Sequence, residues 1–208
     1  MKLQLALDLV DCQGAKAILS EVHDLIDIVE IGTPFLLKEG VRAITEIKSA
    51  YPSLEVLADV KIMDGGDYEA RLVYNAGADI VTVLGAAASV TIQNVVKAAR
   101  ACRKQVLVDM IAVEPIEQRV MQIDQFDVDY ICVHTGTDVQ AQGKGPLDEL
   151  QCVSAIVRNA RIAVAGGINQ ETLPPILSYR PEIVIVGGAI TAKADKRQAV
   201  LAIKEVMA

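Results

Sequence analysis

Residues 54–64, Leu-Glu-Val-Leu-Ala-Asp-Val-Lys-Ile-Met-Asp, join an aliphatic run to a cluster of charged side chains. The run Leu54–Val60 is rich in aliphatic residues, as in strands that are buried on both faces of a parallel sheet. Two glycines follow, and Tyr68–Ala76 then has a helical pattern that ends at Gly77. This order of strand, polar break and helix is the repeating unit of α/β folds.

The same unit recurs along the chain. The other predicted strands are Leu3–Leu7, Ile26–Ile31, Ile80–Leu84, Val106–Met110, Tyr130–His134, Ile162–Ala165 and Ile183–Val186. Further predicted helices are Gln13–His23, Val41–Tyr51, Val90–Arg103 and a last one, capped by Asp195, that runs through Met207. Eight such units and the absence of a G-x-G-x-x-G motif after the first strand favour a (β/α)₈ TIM barrel over a dinucleotide fold. We therefore predict one catalytic barrel domain over residues 1–208.

Composition limits the class of protein. Hydrophobic residues make up 52% and aromatic residues only 3%, so the core must be aliphatic. The net charge of −7 argues against nucleic acid as a partner, since a phosphate backbone requires a basic surface. Four cysteines without a C-x-x-C pair predict reduced thiols. The sequence shows no signal peptide and no membrane-spanning run, and we expect a cytoplasmic protein.

Charged and polar residues lie at or just after the carboxyl ends of the predicted strands. In a barrel of this class, the carboxyl ends of the strands form the active-site rim. The residues at these ends are Asp8, Glu30, Asp59, Lys61, Asp109 and His134. Burying so many charges costs several kcal/mol, roughly, unless they pair or bind a metal, which favours a functional site.

Asp59 and Lys61 are two positions apart, so regular strand geometry places both on one face, in the barrel mouth. A lone Asp–Lys pair is usually only a salt bridge, but the other acids on the rim favour a site. His134 is one of two histidines, and a lone histidine is more often structural than catalytic. Its position on the rim, and an imidazole's ability to titrate near neutrality, indicate a general base.

Two glycine pairs complete the pattern. Gly166 and Gly167 follow the seventh predicted strand, and Gly187 and Gly188 follow the eighth. One such pair is weak evidence, since it is also typical of a tight turn. Two pairs after these particular strands predict a phosphate site made of backbone N–H groups and a helix N-terminus.

D-x-K-x-x-D, here Asp59, Lys61 and Asp64, is the signature of the orotidine 5′-phosphate decarboxylase superfamily. The segments LQLALDLV, VEIGTPFLLKEG, VLADVKIMDGGDYEA, DYICVHTGTDVQAQG, AVAGGI and VIVGGAIT resemble the 3-hexulose-6-phosphate synthases of that superfamily along nearly the whole chain. The resemblance implies an aldolase that condenses formaldehyde with D-ribulose 5-phosphate, giving D-arabino-3-hexulose 6-phosphate through a cis-enediolate and without a Schiff base.

The resemblance also implies residue roles. Glu30 and Asp59 would bind Mg²⁺, or Mn²⁺, which suits hard oxygen ligands. His134 would remove the C1 proton, and Lys61 would stabilise the enediolate oxygen. The family forms homodimers in which the residue that matches Asp64 reaches the partner's site. Asp8 and Asp109 are assigned to the metal shell or to substrate hydroxyls.

The related 3-keto-L-gulonate-6-phosphate decarboxylases are the main alternative. They carry arginines where this chain has Thr137 and Gly188, and a glutamate in place of Asp109, so all three positions favour the synthase. Thr137 is expected to lie at the substrate. A non-catalytic sugar-phosphate-binding barrel is a second alternative, although it has no need for the acids together with His134. Orotidine decarboxylation is disfavoured, because that branch uses no metal.

Overall fold

The computed structural model describes all 208 residues and contains a closed barrel of eight parallel strands in sequential order. Hydrogen bonds between the first and last strands close it, with Lys2 opposite Ile183. The strands are β1 (Lys2–Leu7), β2 (Ile28–Ile31), β3 (Glu55–Ile62), β4 (Ile80–Leu84), β5 (Gln105–Asp109), β6 (Tyr130–His134), β7 (Arg161–Ala165) and β8 (Ile183–Val186). All eight predicted strands are confirmed, with ends within two residues.

Helices connect consecutive strands. They are α1 (Cys12–Val22), α2 (Thr33–Glu39), α3 (Arg42–Ala50), α4 (Gly66–Asn75), α5 (Ser89–Cys102), α6 (Ile116–Ile123), α7 (Thr137–Gln140), α8 (Leu147–Ile156), α9 (Leu173–Leu177), α10 (Gly188–Thr191) and α11 (Lys196–Met207). The predicted cap is confirmed, since the Asp195 side chain accepts a hydrogen bond from Gln198 N. The eight parallel strands and the helices that connect them confirm the predicted TIM barrel.

The strands bury two separate apolar layers, because successive side chains point to opposite faces. Outward-facing aliphatic residues pack against the helices in a cluster of 52 buried residues. A second cluster of nine fills the inside of the barrel, and its members include Leu57, Leu107 and Tyr130. The inner cluster fills the barrel interior, so no channel runs through it. The polar residues at the carboxyl ends of the strands therefore lie on the floor of a cavity.

A recurring aspartate ties neighbouring strands together at the amino ends of the sheet. Each one immediately precedes an even-numbered strand, and its carboxylate accepts the backbone N–H of a residue in the preceding odd-numbered strand. The pairs are Asp27 with Leu3, Asp79 with Val56 and Asp129 with Val106, at 2.8, 3.0 and 2.9 Å. These contacts lie at the end of the barrel opposite the rim and hold the strand register on which the site depends.

Asp124 supports the connection between α8 and β7. Its buried carboxylate accepts the backbone N–H groups of Arg158, Asn159 and Ala160 at 2.9 to 3.2 Å. Three N–H groups of one turn therefore depend on a single side chain.

Asp124→Ala is expected to lower the free energy of unfolding by about 3 kcal/mol, because the substitution removes hydrogen bonds to a charged acceptor. Chemical denaturation measures the change. Asp148→Ala, at an exposed position in the first turn of α8, is the matched control and should change stability by less than about 1 kcal/mol. Equal losses for both variants would contradict this role of Asp124.

All four cysteines have free thiols in the structure. No helix combines the length and the apolar character that a membrane crossing requires.

Candidate active site

The strand ends surround a cavity of ≈ 1560 Å³. Inward-facing residues of the strands form its floor, and the loops after the strands form its walls. The predicted site residues that line it are Asp8, Glu30, Asp59, Lys61, Asp109, His134, Thr137, Gly166, Gly167, Gly187 and Gly188. The structure therefore brings eleven of the twelve predicted residues to one cavity.

Asp59 and Lys61 meet as predicted, but not through regular strand geometry. The register between β3 and β4 shifts between Ala58 and Ile62, and Lys61 has a left-handed backbone with φ of 51°. The Lys61 N–H donates to the Thr82 hydroxyl at 2.9 Å, which stabilises this bulge. The Lys61 ammonium then turns back to both carboxylate oxygens of Asp59, at 2.7 and 3.0 Å.

Asp59 is held by two hydroxyl groups as well as by Lys61. The Thr33 hydroxyl donates to one carboxylate oxygen and the Thr82 hydroxyl to the other, both at 2.9 Å. Each oxygen thus accepts a hydrogen bond from a hydroxyl and one from an ammonium. The carboxylate has a single orientation even though regular strand pairing is broken beside it.

Asp109 joins the lysine to the histidine. Its carboxylate lies 3.1 Å from the Lys61 ammonium and 2.9 Å from His134 Nδ1, and it also accepts the Ile111 N–H. Burial raises the pKa of Asp109, but His134 and Lys61 outweigh it and hold the pKa below its usual value. An ionised Asp109 favours the tautomer with hydrogen on Nδ1, which leaves Nε2 to accept a proton.

Lys61 remains protonated in this environment. Burial lowers the pKa of its ammonium, but Asp59 and Asp109 outweigh that effect and raise the pKa above its ordinary value. Lys61 is therefore a fixed positive charge on the cavity floor. It is suited to stabilising an oxyanion and is poorly suited to acting as a neutral amine nucleophile.

Glu30 has no cation beside it. Burial and the neighbouring Asp59 raise its pKa to about 8, and Asp8 has a raised pKa for the same two reasons. Lys61 contacts Asp59 and Asp109 but forms no ion pair with Glu30. Ionised Glu30 beside Asp59 lacks a compensating positive charge, which a divalent cation held by Glu30 and Asp59 would supply.

No three acidic, histidine or cysteine side chains converge into a full metal-ligand set. A Mg²⁺ ion commonly binds through one or two carboxylates and completes its shell with water and substrate oxygens. Two buried carboxylates at the floor of an open cavity suit that mode of binding.

The two glycine turns, Gly166–Gly167 and Gly187–Gly188, form part of the cavity wall. Gly166 and Gly167 both have positive φ, at 107° and 67°, and a Cβ at Gly166 would lie 2.4 Å from the Thr135 carbonyl oxygen. Only glycine fits this approach between the loops after β6 and β7. Gly187 and Gly188 begin the short helix α10, so N–H groups at its first turn are free to bind an anion.

Asp64 is the predicted residue that the cavity does not include. It is exposed, and its carboxylate accepts only the N–H of the following residue, Gly65. Within one chain it contacts none of the other candidate residues.

Sequence reasoning missed four supporting residues. Thr33 and Thr82 hold Asp59, and Gln4 donates to Glu30 at 2.6 Å. Gly32 has no room for a side chain, because a Cβ there would lie 2.1 Å from an Asp8 carboxylate oxygen. The polar Gln4 inside the aliphatic run LQLAL indicates a role at the site that the sequence makes visible. The two threonines, in contrast, resemble ordinary strand and loop residues.

Comparison with known proteins identifies the family of the chain. The model of the orotidine 5′-phosphate decarboxylase / HUMPS family matches residues 1–203. A curated protein of Bacillus subtilis (strain 168), named 3-hexulose-6-phosphate synthase, is 51% identical over 207 residues, which cover 100% of this chain and 99% of that protein.

Two crystal structures have the same architecture. A 3-hexulose-6-phosphate synthase from Salmonella typhimurium has a TM-score of 0.97 at 49% identity and covers 100% of this chain and 98% of its own. A 3-keto-L-gulonate-6-phosphate decarboxylase from Vibrio cholerae has a TM-score of 0.87 at 27% identity, over 99% and 96% of the two chains. The chain belongs to the orotidine 5′-phosphate decarboxylase / HUMPS family, and it is similar over its full length to members named 3-hexulose-6-phosphate synthase.

Proposed function

We propose that this protein is a 3-hexulose-6-phosphate synthase, a metal-dependent aldolase that joins formaldehyde to C1 of D-ribulose 5-phosphate. The observation that carries the proposal is the contact of Asp109 with both His134 and Lys61, which supports the joint action of a base and a fixed cation at one point of the cavity floor. A reaction that removes a proton next to a carbonyl requires that combination.

The sugar phosphate is anchored by its phosphate group at the glycine turns Gly166–Gly167 and Gly187–Gly188. The reactive end then lies toward the cavity floor, where Glu30, Asp59 and Lys61 stand. A Mg²⁺ or Mn²⁺ ion held by Glu30 and Asp59 would act as a Lewis acid for the sugar oxygens. Asp8 and Thr137, which line the same cavity, are available to bind the sugar hydroxyls.

His134 Nε2 takes a proton from C1, and the electron pair left on C1 moves toward the C2 oxygen. Lys61 stabilises the negative charge that develops on that oxygen. C1 then attacks the formaldehyde carbon and a C–C bond forms as the C2 carbonyl is restored. The C=O π bond of formaldehyde breaks, and its oxygen gains a proton to become a hydroxyl. No C–N bond forms at any stage, so borohydride treatment with ribulose 5-phosphate should leave the mass of the protein unchanged.

The test is to incubate the protein with ribulose 5-phosphate, formaldehyde and Mg²⁺, with and without EDTA. We expect formation of D-arabino-3-hexulose 6-phosphate that EDTA abolishes. The parallel assay uses 3-keto-L-gulonate 6-phosphate, because the decarboxylase from Vibrio cholerae shares the fold. Decarboxylation of that compound without any hexulose phosphate would assign the chain to the alternative activity, and no turnover of either substrate would favour a binding role.

We also propose a homodimer in which Asp64 enters the partner's site. Apolar side chains are exposed around it, with Met63, Tyr68 and Leu72 exposed by 53, 75 and 47%. Gly66 packs against the first turn of α5, which adds the exposed Val90 to this surface. Several exposed apolar side chains on neighbouring elements are typical of a protein interface.

Subunit mixing tests the shared site. Asp64→Ala and His134→Ala are each expected to inactivate the homodimer. Refolding them together should restore about a quarter of the wild-type sites, because one site of each mixed dimer has both residues intact. A mixture that remains inactive would place Asp64 outside the partner's site.

A further inference from the structure

Gln4 is a polar residue in the aliphatic interior of the barrel. It lies on β1, its side chain faces inward, and it is completely buried. Its neighbours in the adjacent strands are Ile28 and Ile185. Glutamine is rarely buried to this extent, so its amide at this position requires an explanation.

The amide makes one short contact. Nε2 of Gln4 donates to Glu30 Oε2 at 2.6 Å in a buried environment. The amide oxygen Oε1 is buried and has no hydrogen-bond partner. An unsatisfied buried acceptor costs folding free energy, so stability alone does not account for glutamine at this position.

Glu30 depends on Gln4 for its orientation. The Asp59 carboxylate has three side-chain donors, from Thr33, Thr82 and Lys61. Glu30 accepts a side-chain hydrogen bond from Gln4 alone. A change at Gln4 therefore removes all of the polar support of Glu30, whereas a change at either threonine leaves Asp59 with two donors.

We propose that Gln4 is a positioning residue that holds the Glu30 carboxylate in the orientation that binds the metal ion. This role rests on the metal site of the proposed function. Hydrogen bonds from neighbouring groups commonly fix metal-binding carboxylates, and their loss weakens metal affinity by about 10 to 100-fold. The Gln4 amide engages one oxygen of Glu30 and leaves Oε1 of Glu30 free to bind the cation.

The experiment measures metal binding directly, without turnover. Free Mn²⁺ is followed by electron paramagnetic resonance during titration of the protein. Gln4→Met, which keeps the length of the side chain and removes the donor, should raise the Kd for Mn²⁺ by about 10 to 100-fold. Gln4→Asn, whose amide is one methylene too short to reach Glu30, should have a similar effect and serves if the Met variant fails to fold.

Gln140→Met is the matched control. This amide lines the same cavity but donates to the Thr135 carbonyl oxygen instead of a carboxylate, so the Kd for Mn²⁺ should not change. A second readout is the rise in Tm that excess Mg²⁺ causes, which should be smaller in Gln4→Met than in the wild type.

The outcomes separate the two proposals. If the wild type binds no Mn²⁺, or if Glu30→Gln binds it as tightly as the wild type, the proposed metal site is wrong and the role of Gln4 is wrong with it. If Glu30→Gln loses binding while both Gln4 variants keep the wild-type Kd, the metal site stands and Gln4 has no positioning role. A lower Tm with an unchanged Kd would assign Gln4 to packing alone.

Discussion

His134→Ala is expected to slow the exchange of solvent deuterium into C1 of ribulose 5-phosphate by roughly 10²–10⁴-fold. The exchange requires a base, and the contact with Asp109 leaves His134 Nε2 as the nitrogen that faces substrate. Nuclear magnetic resonance of the C1 protons in D₂O, without formaldehyde, isolates this step from C–C bond formation.

The second histidine provides the control. His23 follows the last residue of α1, is exposed, lies beside Tyr51 with the two rings tilted, and does not line the cavity. His23→Ala should exchange deuterium at the wild-type rate. Wild-type exchange in the His134→Ala variant would remove His134 from the role of base and would direct attention to the remaining carboxylates of the cavity.

Lys61→Ala should lower kcat by about 10²–10³-fold, the effect expected when one donor to a developing oxyanion is removed. The loss should appear in both deuterium exchange and condensation with formaldehyde, because both reactions develop charge on the same oxygen. Steady-state kinetics of hexulose phosphate formation measures the effect, and circular dichroism verifies the fold.

Lys104→Ala is the matched control for charge. Lys104 also pairs with an aspartate, Asp79, at 2.6 Å, but at the opposite end of the barrel. This variant should lose stability and keep kcat. A similar fall in kcat for both variants would show that Lys61 supports the fold and has no direct role in the reaction. Full kcat in Lys61→Ala would exclude Lys61 from oxyanion stabilisation.

The sequence predicted the strands well, because a strand is recognised from the hydrophobic pattern of consecutive residues. Aliphatic runs such as Ile80–Leu84 and Tyr130–His134 have the same limits in the structure as in the prediction. The acids and the histidine at the carboxyl ends of the predicted strands line the cavity, because all strands of a parallel barrel end at the same rim.

Lys61 lines the cavity as predicted, but regular strand alternation does not bring it there. Simple alternation along β3 predicted that Lys61 and Asp59 share a face, but the left-handed backbone and the register shift at Lys61 break that alternation. The Thr82 hydroxyl, which lies 21 positions away, stabilises the actual geometry. Nothing in the period of β3 itself reveals this bulge.

The amino-acid sequence by itself determined the eight strand–helix units, the parallel barrel and the set of side chains at the rim. The hydrophobic pattern of a strand can be read from residues that are neighbours in the sequence. Only the tertiary structure decided which of those side chains bind one another. Asp109 meets His134 and Lys61 across 25 and 48 positions, and Gln4 meets Glu30 across 26. Such contacts depend on barrel closure and strand register, which bring distant residues within hydrogen-bond distance.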